Sequence, residues 1–331
     1  MARSPSLAAA LLLLALAAHA QTPAESPTPV AEDAGVPAGP VADAGSYSVH
    51  AGPSALDAGP PPWTYPYAFP TEKAAAVRRD NVETETRVLV DAAGAGATQA
   101  SLALVTATAA IEIWPHRHPA GAEVAYLLEG AARVRGLGHA WVDLAPGDAV
   151  YLPAGVAHGW WWAGSKKRPM KLLFLYAPPG PERALTSTAA NDVAVPVPAA
   201  ELKKPGPHSP LPLVMAASAA STFPIAGGKA TVRILFDAAS AHDGSAYVGL
   251  LRAQPGTSVA AHAHENEAEV LYVVSGRGTM TLDGVPAAVE PGLALHLPPG
   301  HRHTLDVQQA LEAVQFYAPS GPEQRFKGPK K

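Results

Sequence analysis

The sequence predicts an all-β protein made of two tandem copies of one sandwich or barrel domain. Three observations lead to this fold class: an internal repeat that spans most of the chain, short apolar runs of strand-forming residues in each copy, and little helical periodicity between those runs. The length of 331 residues suits two domains of ordinary size with some chain to spare. We therefore expect two barrels, each built from one copy of the repeat.

The first twenty residues read as a secretory signal peptide. Arg3 precedes an apolar run from Leu7 to Ala18, and Ala18-His19-Ala20 supplies the small residues typical of a cleavage site after Ala20. A membrane anchor is the alternative, but the apolar run is too short to cross about 30 Å of hydrocarbon comfortably. We predict export to the periplasm or the exterior, with no membrane anchor after cleavage.

Residues 21–62 are predicted to be a disordered linker, because proline, alanine and glycine dominate and few side chains could build a core. An aromatic cluster ends the linker and is expected to pack against the first barrel; it consists of Trp63, Tyr65, Tyr67 and Phe69. A proline-rich stretch from Val193 to Leu213 separates the copies. We accordingly predict an N-terminal domain over 63–195 and a C-terminal domain over 196–331.

The repeat is visible as recurring segments at nearly constant spacing. Residues 87–93 recur 146 positions later as 233–239, and 176–182 recur 141 positions later as 317–323. Within the copies, Val124–Leu128 and Val270–Val274 read as buried strands, and Asp283-Gly284 between two strand-like runs predicts a hairpin. The change in spacing indicates short deletions in loops of the second copy.

Composition excludes some functions and some ligands. The formal net charge of −4, with charged residues at 16%, offers no basic surface for nucleic acid. Because the chain contains no cysteine, disulfides and thiolate metal ligands are also excluded. Any metal site must therefore use nitrogen and oxygen.

Each copy contains three histidines and one glutamate at matching positions. In a strand, residues two apart point to the same face, so the His-x-His pair of each copy would project two imidazoles into a barrel. The proline and glycine before the last histidine shape a turn that would deliver it to the same place. This nitrogen and oxygen donor set suits Mn, Fe, Co, Ni, Cu or Zn and leaves coordination positions open. The predicted ligands are His116, His118, Glu123 and His158 in the first copy, and His262, His264, Glu269 and His303 in the second.

These residues and their spacing resemble the two signature motifs of the cupin superfamily. The pattern His-x-His-x4-Glu-x6-Gly begins at His116 and at His262, and Gly-x5-Pro-x-Gly-x2-His ends at His158 and at His303. The resemblance implies two jelly-roll barrels with up to one divalent metal in each, Mn or Fe first and Zn, Ni or Cu as alternatives. His301 would share the face of His303, but the motif register favours His303 as the ligand.

Three tryptophans are candidate walls of the first pocket. Trp160 and Trp162 follow His158 at strand period, and Trp114 precedes His116 by two residues. Ordinary core or interface packing is the alternative for Trp160 and Trp162. Glu182 and Glu323, which follow the barrels, read as surface carboxylates rather than lids.

The resemblance leaves several functions open. Exported two-domain cupins include the oxalate decarboxylases, which carry an arginine just before the His-x-His pair. This chain has none there, and Glu112 is expected to repel a dicarboxylate. The alternatives are a metal-dependent dioxygenase- or decarboxylase-like enzyme acting on a small organic molecule, a protein that binds a sugar or phenolic without turnover, and a structural role. Tandem cupins also commonly form homo-oligomers, although no feature of this sequence sets an oligomeric state.

Overall fold

The computed structural model describes residues 64–79, 83–187, 193–204, 206–207 and 209–328. The predicted signal peptide, the predicted linker and Trp63 lie outside these residues. Strands dominate the described chain, so the prediction of an all-β fold in two jelly-roll barrels is confirmed. In the described part of the chain, no helix combines the length and the apolar character that crossing a membrane requires.

The first thirteen strands, in chain order, are β1 (Ala68–Pro70), β2 (Ala76–Arg79), β3 (Thr84–Val90), β4 (Ser101–Ala107), β5 (Ala110–Arg117), β6 (Ala122–Glu129), β7 (Ala132–Gly136), β8 (Val142–Leu144), β9 (Ala149–Leu152), β10 (His158–Ala163), β11 (Met170–Ala177), β12 (Val195–Pro196) and β13 (Leu213–Met215). Two sheets form the first barrel. One has the order β13-β9-β6-β11-β4-β3-β2 and the other the order β12-β5-β10-β7-β8.

The remaining strands are β14 (Thr222–Ile225), β15 (Ala230–Phe236), β16 (Tyr247–Ala253), β17 (Ser258–His262), β18 (Ala268–Leu282), β19 (Val285–Val289), β20 (Leu293–Leu297) and β21 (His303–Ala318). They form the second barrel as one continuous sheet, because the long strands β18 and β21 each extend through both walls of the barrel. The predicted hairpin is confirmed: Asp283 and Gly284, both with positive φ, join β18 to β19.

Short helices fill the turns between strands. The α-helices are α1 (Ala92–Ala95), α2 (Arg183–Thr186), α3 (Ala199–Leu202) and α4 (Ala238–Ala241), and the 3₁₀ helices are Thr71–Lys73, Ala217–Ala219, Ala226–Gly228 and Pro322–Lys327. Asp91 and Asp237 occupy matching positions in the repeat, and each caps a helix by accepting from a backbone N–H, that of Gly94 and of Ser240 respectively.

Apolar side chains form a core inside each barrel and a further core between the barrels. Since neighbouring residues of a strand face opposite sides, β11 places Leu172 and Phe174 inside the first barrel and Leu173 and Leu175 in the core between the barrels. That shared core also includes Phe316 of the second copy. Burial on both faces explains why β11 reads as a nearly continuous apolar run.

The two copies exchange their first strands. β1 pairs with β20 of the second barrel, with Ala68 opposite Leu295, and β13 pairs with β9 of the first barrel, with Val214 opposite Val150. The predicted boundary at 195/196 follows the sequence repeat, whereas β1 and β13 each pack on the barrel of the other copy.

This exchange corrects the expected place of the aromatic cluster. Tyr67 is buried in the second barrel, not the first, and its hydroxyl donates to the Val285 carbonyl oxygen at 2.6 Å. Phe69 packs against the core between the barrels, and Tyr65 is exposed. The prediction was wrong because contiguity along the chain does not reveal an exchanged strand.

Candidate metal centres and their pockets

The four predicted ligands of the first barrel meet between its two sheets. His116 on β5 lies opposite His158 on β10, and Glu123 projects from β6 of the other sheet. Nε2 of His118 is 2.9 Å from Oε2 of Glu123. One ligand atom from each of the four residues falls within 4.8 Å of the others, a separation suited to one metal ion. Because directly paired residues of neighbouring strands project to the same face, His116 and His158 both point to this centre, and a β-bulge shifts the register only beyond His158.

Backbone carbonyls orient the three imidazoles. Nδ1 of His116 donates to the carbonyl of Trp114 at 3.0 Å, and Nδ1 of His158 donates to that of Val156 at 2.9 Å. Nδ1 of His118 lies 2.7 Å from the Val193 carbonyl oxygen. A proton held on Nδ1 of His116 and His158 leaves the Nε2 lone pair directed to the centre, which is the arrangement that metal-binding histidines require. Burial would lower the pKa of His118, but its contacts with Glu123 and the Val193 carbonyl outweigh burial and raise that pKa.

Burial and mutual contact set the protonation of these groups. Burial is the main reason that the pKa of His116 falls to about 3, which keeps this ligand neutral at pH 7. Burial would raise the pKa of Glu123, but the neighbouring His158 and His118 outweigh it and hold that pKa well below its ordinary value. An ionised carboxylate and a neutral imidazole are the forms that bind a metal.

The second barrel repeats the arrangement. His262 and His303 are paired across β17 and β21, and their Nδ1 atoms donate to the carbonyls of Ala260 at 2.9 Å and His301 at 3.1 Å. Nε2 of His264 is 3.1 Å from Oε2 of Glu269. The four ligand atoms of this group also lie within 4.8 Å of one another.

Residues at each centre fit a metal, and one observation in particular indicates a cation. Nε2 of His158 and Nε2 of His303 are both buried and make no well-formed hydrogen bond among the described residues, although they lie 3.7 Å from Oε1 of Glu123 and 3.3 Å from Oε2 of Glu269 respectively. Buried polar atoms are costly when unpaired. One cation in each barrel, coordinated by the Nε2 lone pair, would satisfy these atoms. His301, the competing candidate, is instead held by Asp283, whose Oδ2 lies 2.5 Å from Nδ1 of His301.

The carboxylates at the two centres are positioned by different residues. Nε1 of Trp160 donates to Oε1 of Glu123 at 3.0 Å, and the Phe174 ring packs edge-on against Trp160. At the second centre leucine replaces this tryptophan, and Gln315 stands where the first copy has Phe174. Nε2 of Gln315 donates to Oε1 of Glu269 at 2.7 Å. The same hydrogen bond is therefore made from the segment of β21 that matches β11, not from the segment that matches β10.

One histidine distinguishes the second centre from the first. Nη2 of Arg325 lies 2.8 Å from Nδ1 of His264. Because a guanidinium can only donate, this Nδ1 accepts, and a neutral imidazole then carries its proton on Nε2, which faces Glu269. In the first copy the position of Arg325 is occupied by Ala184. The second centre is thus less well prepared to bind a metal through this histidine.

A cavity of about 270 Å³ opens beside the first centre. The three predicted wall tryptophans all border it but occupy different places. Trp160 and Trp162 are buried on β10 and pack against Phe174, with ring centroids 5.6 and 6.2 Å away. Trp114 lies at the mouth with 74% of its surface exposed, because the bulge brings Ile113, not Trp114, opposite Trp160.

A cavity of about 490 Å³ opens beside the second centre, and its walls are mainly aliphatic. Leu251, Leu271, Met280 and Leu305 border it, and Arg325 stands at its edge. The first pocket is therefore rich in aromatic rings, whereas the second is larger and mainly aliphatic, with aromatic rings only at Tyr317 and Phe326 besides the histidines.

Two arginines at the pockets were missed by sequence reasoning. Arg79 of β2 borders the first cavity and Arg325 of the last 3₁₀ helix borders the second. Neither lies near the histidine motifs in sequence, so only the fold brings them there. The expectation that Glu112 repels a dicarboxylate is wrong, because Glu112 is exposed, pairs with Arg135 at 3.1 Å and does not border the cavity.

The interpretation of Glu182 and Glu323 as surface carboxylates is also wrong. Both are buried. Glu182 accepts from the backbone N–H of Gly180 and from Ser101 Oγ, both at 2.6 Å. Glu323 accepts from the N–H of Gly321 at 2.7 Å. Each carboxylate anchors the turn that follows its barrel, and the residues just beyond that turn border the cavity.

Comparison with known structures agrees with the fold. The crystal structure of an oxalate decarboxylase from Lactobacillus farciminis, a formate complex, is 17% identical, with a TM-score of 0.61 over 78% of this chain and 87% of that one. An oxalate decarboxylase from Bacillus subtilis at pH 4.6 is also 17% identical, with a TM-score of 0.59 over 81% of this chain and 79% of that one. At this identity the likeness concerns the fold. No curated protein sequence matches the chain.

A family model for the cupin domain (Cupin_2) matches the chain twice, over residues 104–176 and 249–316. Each match spans the strands that carry one set of four ligands, and the two matched segments lie in different barrels. Together with the repeated His-His-Glu-His centres, this double match makes the chain a two-domain member of the cupin superfamily.

Proposed function

We propose that this cupin is a metal-dependent enzyme, dioxygenase- or decarboxylase-like, that acts on a small organic molecule bound in the first pocket. The observation that carries the proposal is the buried, unpartnered Nε2 of His158 at a centre whose other three ligands border an open cavity. A donor set of three imidazoles and one carboxylate leaves coordination positions free for a substrate. When bound, the ion would supply Lewis acidity or a site for dioxygen.

The remaining residues of the first pocket support binding and orientation. Outside the four ligands, the titratable side chains that border the cavity are Arg79 and Tyr176. Burial raises the pKa of Tyr176 well above its ordinary value, so its hydroxyl stays protonated. With no further carboxylate or imidazole among the described wall residues to transfer a proton, this pocket favours chemistry centred on the metal and supports a dioxygenase over a decarboxylase.

The comparison with oxalate decarboxylases suggests which metal to test first. The oxalate decarboxylase of Bacillus subtilis has Mn(II) centres. The donor set here accommodates Mn or Fe, and Zn, Ni and Cu are the alternatives. Export is part of the proposal: residues 1–20 have the plan of a signal peptide, so the centres would be loaded outside the cytoplasm.

Arg325 favours a different role for the second centre. Its hydrogen bond to His264 opposes coordination by that imidazole. We propose that the second barrel binds metal more weakly and contributes binding or stability, not turnover.

Metal analysis tests the proposal directly. The whole chain, purified from its export compartment, should contain Mn or Fe, and His116→Ala should remove one equivalent together with all turnover. His262→Ala should remove metal from the second centre and leave most turnover intact. A chain that holds no metal at the first centre, or whose turnover survives His116→Ala, would contradict the proposal.

A further inference from the structure

The wall of the first pocket carries polar side chains that the metal centre does not use. They lie on β2, β3 and β10 and border the cavity; they are Arg79, Thr84, Thr86 and Trp162. At every matching position the second copy has an apolar residue, namely Ile225, Ala230, Val232 and Val307. Polarity at these four positions is thus a property of the first pocket alone and is not required by the barrel.

Trp162 lacks a partner for its indole N–H. The side chain is only 5% exposed, and Nε1 has no hydrogen-bond partner among the described residues. An unpaired buried donor destabilises the folded state unless a ligand satisfies it. The neighbouring Trp160 shows the contrast, since its Nε1 donates to Glu123.

Strand register places Trp162 and Thr86 at one level, away from the metal centre, with Thr84 and its partner Arg79 two residues further along the sheet. Trp162 is four residues beyond His158 on β10, a distance of about 13 Å along the strand. On the opposite sheet, Tyr176 of β11 is paired with Glu123 of β6. Leu172, four residues before Tyr176, is paired with Val105 of β4, and Val105 is in turn paired with Thr86 of β3, so these three residues form one row across the sheet. Thr86 is therefore also about 13 Å along its sheet from the row of Glu123.

Aromatic rings line the space between the metal centre and this polar level. Phe174 contacts both Trp160 and Trp162 and stacks on Tyr176. Arg79 is opposite Thr84 in the β2–β3 pairing, and its Nη2 donates to the carbonyl of Ala184 at 2.9 Å, which holds the guanidinium at the wall. A cation and an indole N–H at one end of an aromatic channel suit a carboxylate attached to an apolar body.

We propose that the first pocket binds organic acids with a ring-sized apolar body, oriented with the carboxylate at Arg79 and Trp162 and the other end at the metal centre. The proposal deepens the proposed function by naming its substrate class. It assigns Arg79 and Trp162 to substrate binding, and neither residue is a metal ligand.

Calorimetric titration with three matched pairs of probes tests this assignment. The probes are 3-phenylpropanoate, 4-phenylbutanoate and 5-phenylpentanoate, each compared with its primary amide on the Mn-loaded chain. At least one carboxylate should bind about tenfold more tightly than its amide. Arg79→Gln should abolish most of that preference, and Trp162→Phe, which keeps the aromatic wall, should weaken carboxylate binding about tenfold. Arg78→Gln is the matched control, because Arg78 lies beside Arg79 on β2, has a side chain that is 67% exposed and does not border the cavity, so the preference should stay unchanged.

Repeating the titration with EDTA separates this inference from the proposed function. A preference that persists without metal and depends on Arg79 supports the assignment, whatever the metal does. Bound metal without any carboxylate preference, or no binding by any probe, overturns the assignment and leaves the proposed function standing. A preference that EDTA abolishes but Arg79→Gln does not would place the carboxylate at the metal and overturn the proposed orientation.

Discussion

At the scale of single residues, the hydrogen bond that holds the ligand carboxylate comes from a different donor in each centre. Oε1 of Glu123 accepts from Trp160, and Oε1 of Glu269 accepts from Gln315. Groups that orient a metal ligand commonly contribute ten- to hundredfold to metal affinity. The donor comes from β10 in the first barrel and from the part of β21 that matches β11 in the second, which indicates that fixing this carboxylate matters to both barrels.

We predict that Trp160→Phe lowers the Mn affinity of the first centre about tenfold and that Gln315→Leu does the same at the second. Competition titration with a coloured chelator would measure both. Trp162→Phe should leave Mn affinity unchanged, since Trp162 contacts no ligand carboxylate. The double variant Trp160→Leu with Phe174→Gln copies the second centre and should restore affinity. Unaltered affinity in both single variants would show that these donors do not position the carboxylates.

The eight ligands could be anticipated from sequence, but their supporting residues could not. A His-x-His pair is local, and strand period alone indicates that its imidazoles share a face. Trp160 and Gln315 lie 37 and 46 residues from the glutamates they contact, and the pairing depends on which strands become neighbours. Arg79 and Arg325 escaped notice for the same reason.

At the scale of elements, the last 3₁₀ helix is tied to the second barrel through Asp237. This aspartate caps α4 and accepts from Lys327 and Gln324 of the helix Pro322–Lys327. Burial would raise the pKa of Asp237, but hydrogen bonds from Lys327, Ser240 and Gln324 outweigh it and hold the pKa well below 3.8. The helix carries Arg325, so the tie also sets one edge of the second pocket.

A carboxyl whose pKa is lowered by folding stabilises the folded state above its unfolded value, and this stabilisation is lost as the pH falls. Asp237→Asn retains the shape of the cap and should reduce the free energy of unfolding at pH 7 by about 1–3 kcal/mol. The difference from the unsubstituted chain should begin to shrink below about pH 4, because the ordinary pKa of this group is 3.8. Urea unfolding of metal-free protein between pH 7 and 2.5 would measure it.

The exposed Asp306 on β21 offers a matched control for this substitution. Asp306→Asn should change the free energy of unfolding by less than about 0.5 kcal/mol at any of these pH values. A constant difference between Asp237→Asn and the unsubstituted chain from pH 7 to 2.5 would contradict the prediction.

Elements with strong local signals were anticipated better than those that depend on packing. The strand around Tyr126 and the Asp283-Gly284 hairpin followed from apolar runs and turn residues. The turns at Glu182 and Glu323 did not, because an acidic residue after a strand usually faces solvent. Burial there depends on backbone N–H groups that fold back to meet the carboxylate.

At the scale of the whole molecule, the core between the barrels should make their unfolding cooperative. Every tryptophan of the chain lies between residues 63 and 162, so tryptophan fluorescence reports on the first half. Phe316 belongs to the second copy, is fully buried and packs in the shared core with residues such as Leu173.

We predict that Phe316→Ala destabilises the chain by about 3–5 kcal/mol and shifts the unfolding midpoint seen by tryptophan fluorescence together with the midpoint seen by far-UV circular dichroism. Val285→Ala, at a position that is 59% exposed, should shift neither midpoint appreciably. If the tryptophan midpoint stays in place while circular dichroism reveals a second transition, the barrels unfold independently.

The reciprocal pairing of β1 with β20 and of β13 with β9 also bears on how such a chain could arise. Two identical single-repeat proteins that traded their first strands about a twofold axis would already form a closed dimer. Gene duplication that joined the end of one copy to the start of the next would preserve that assembly without creating a new interface. Each half could then diverge, one lining its cavity with aromatic rings and the other with aliphatic side chains, while its partner continued to cover the open edge of its sheet.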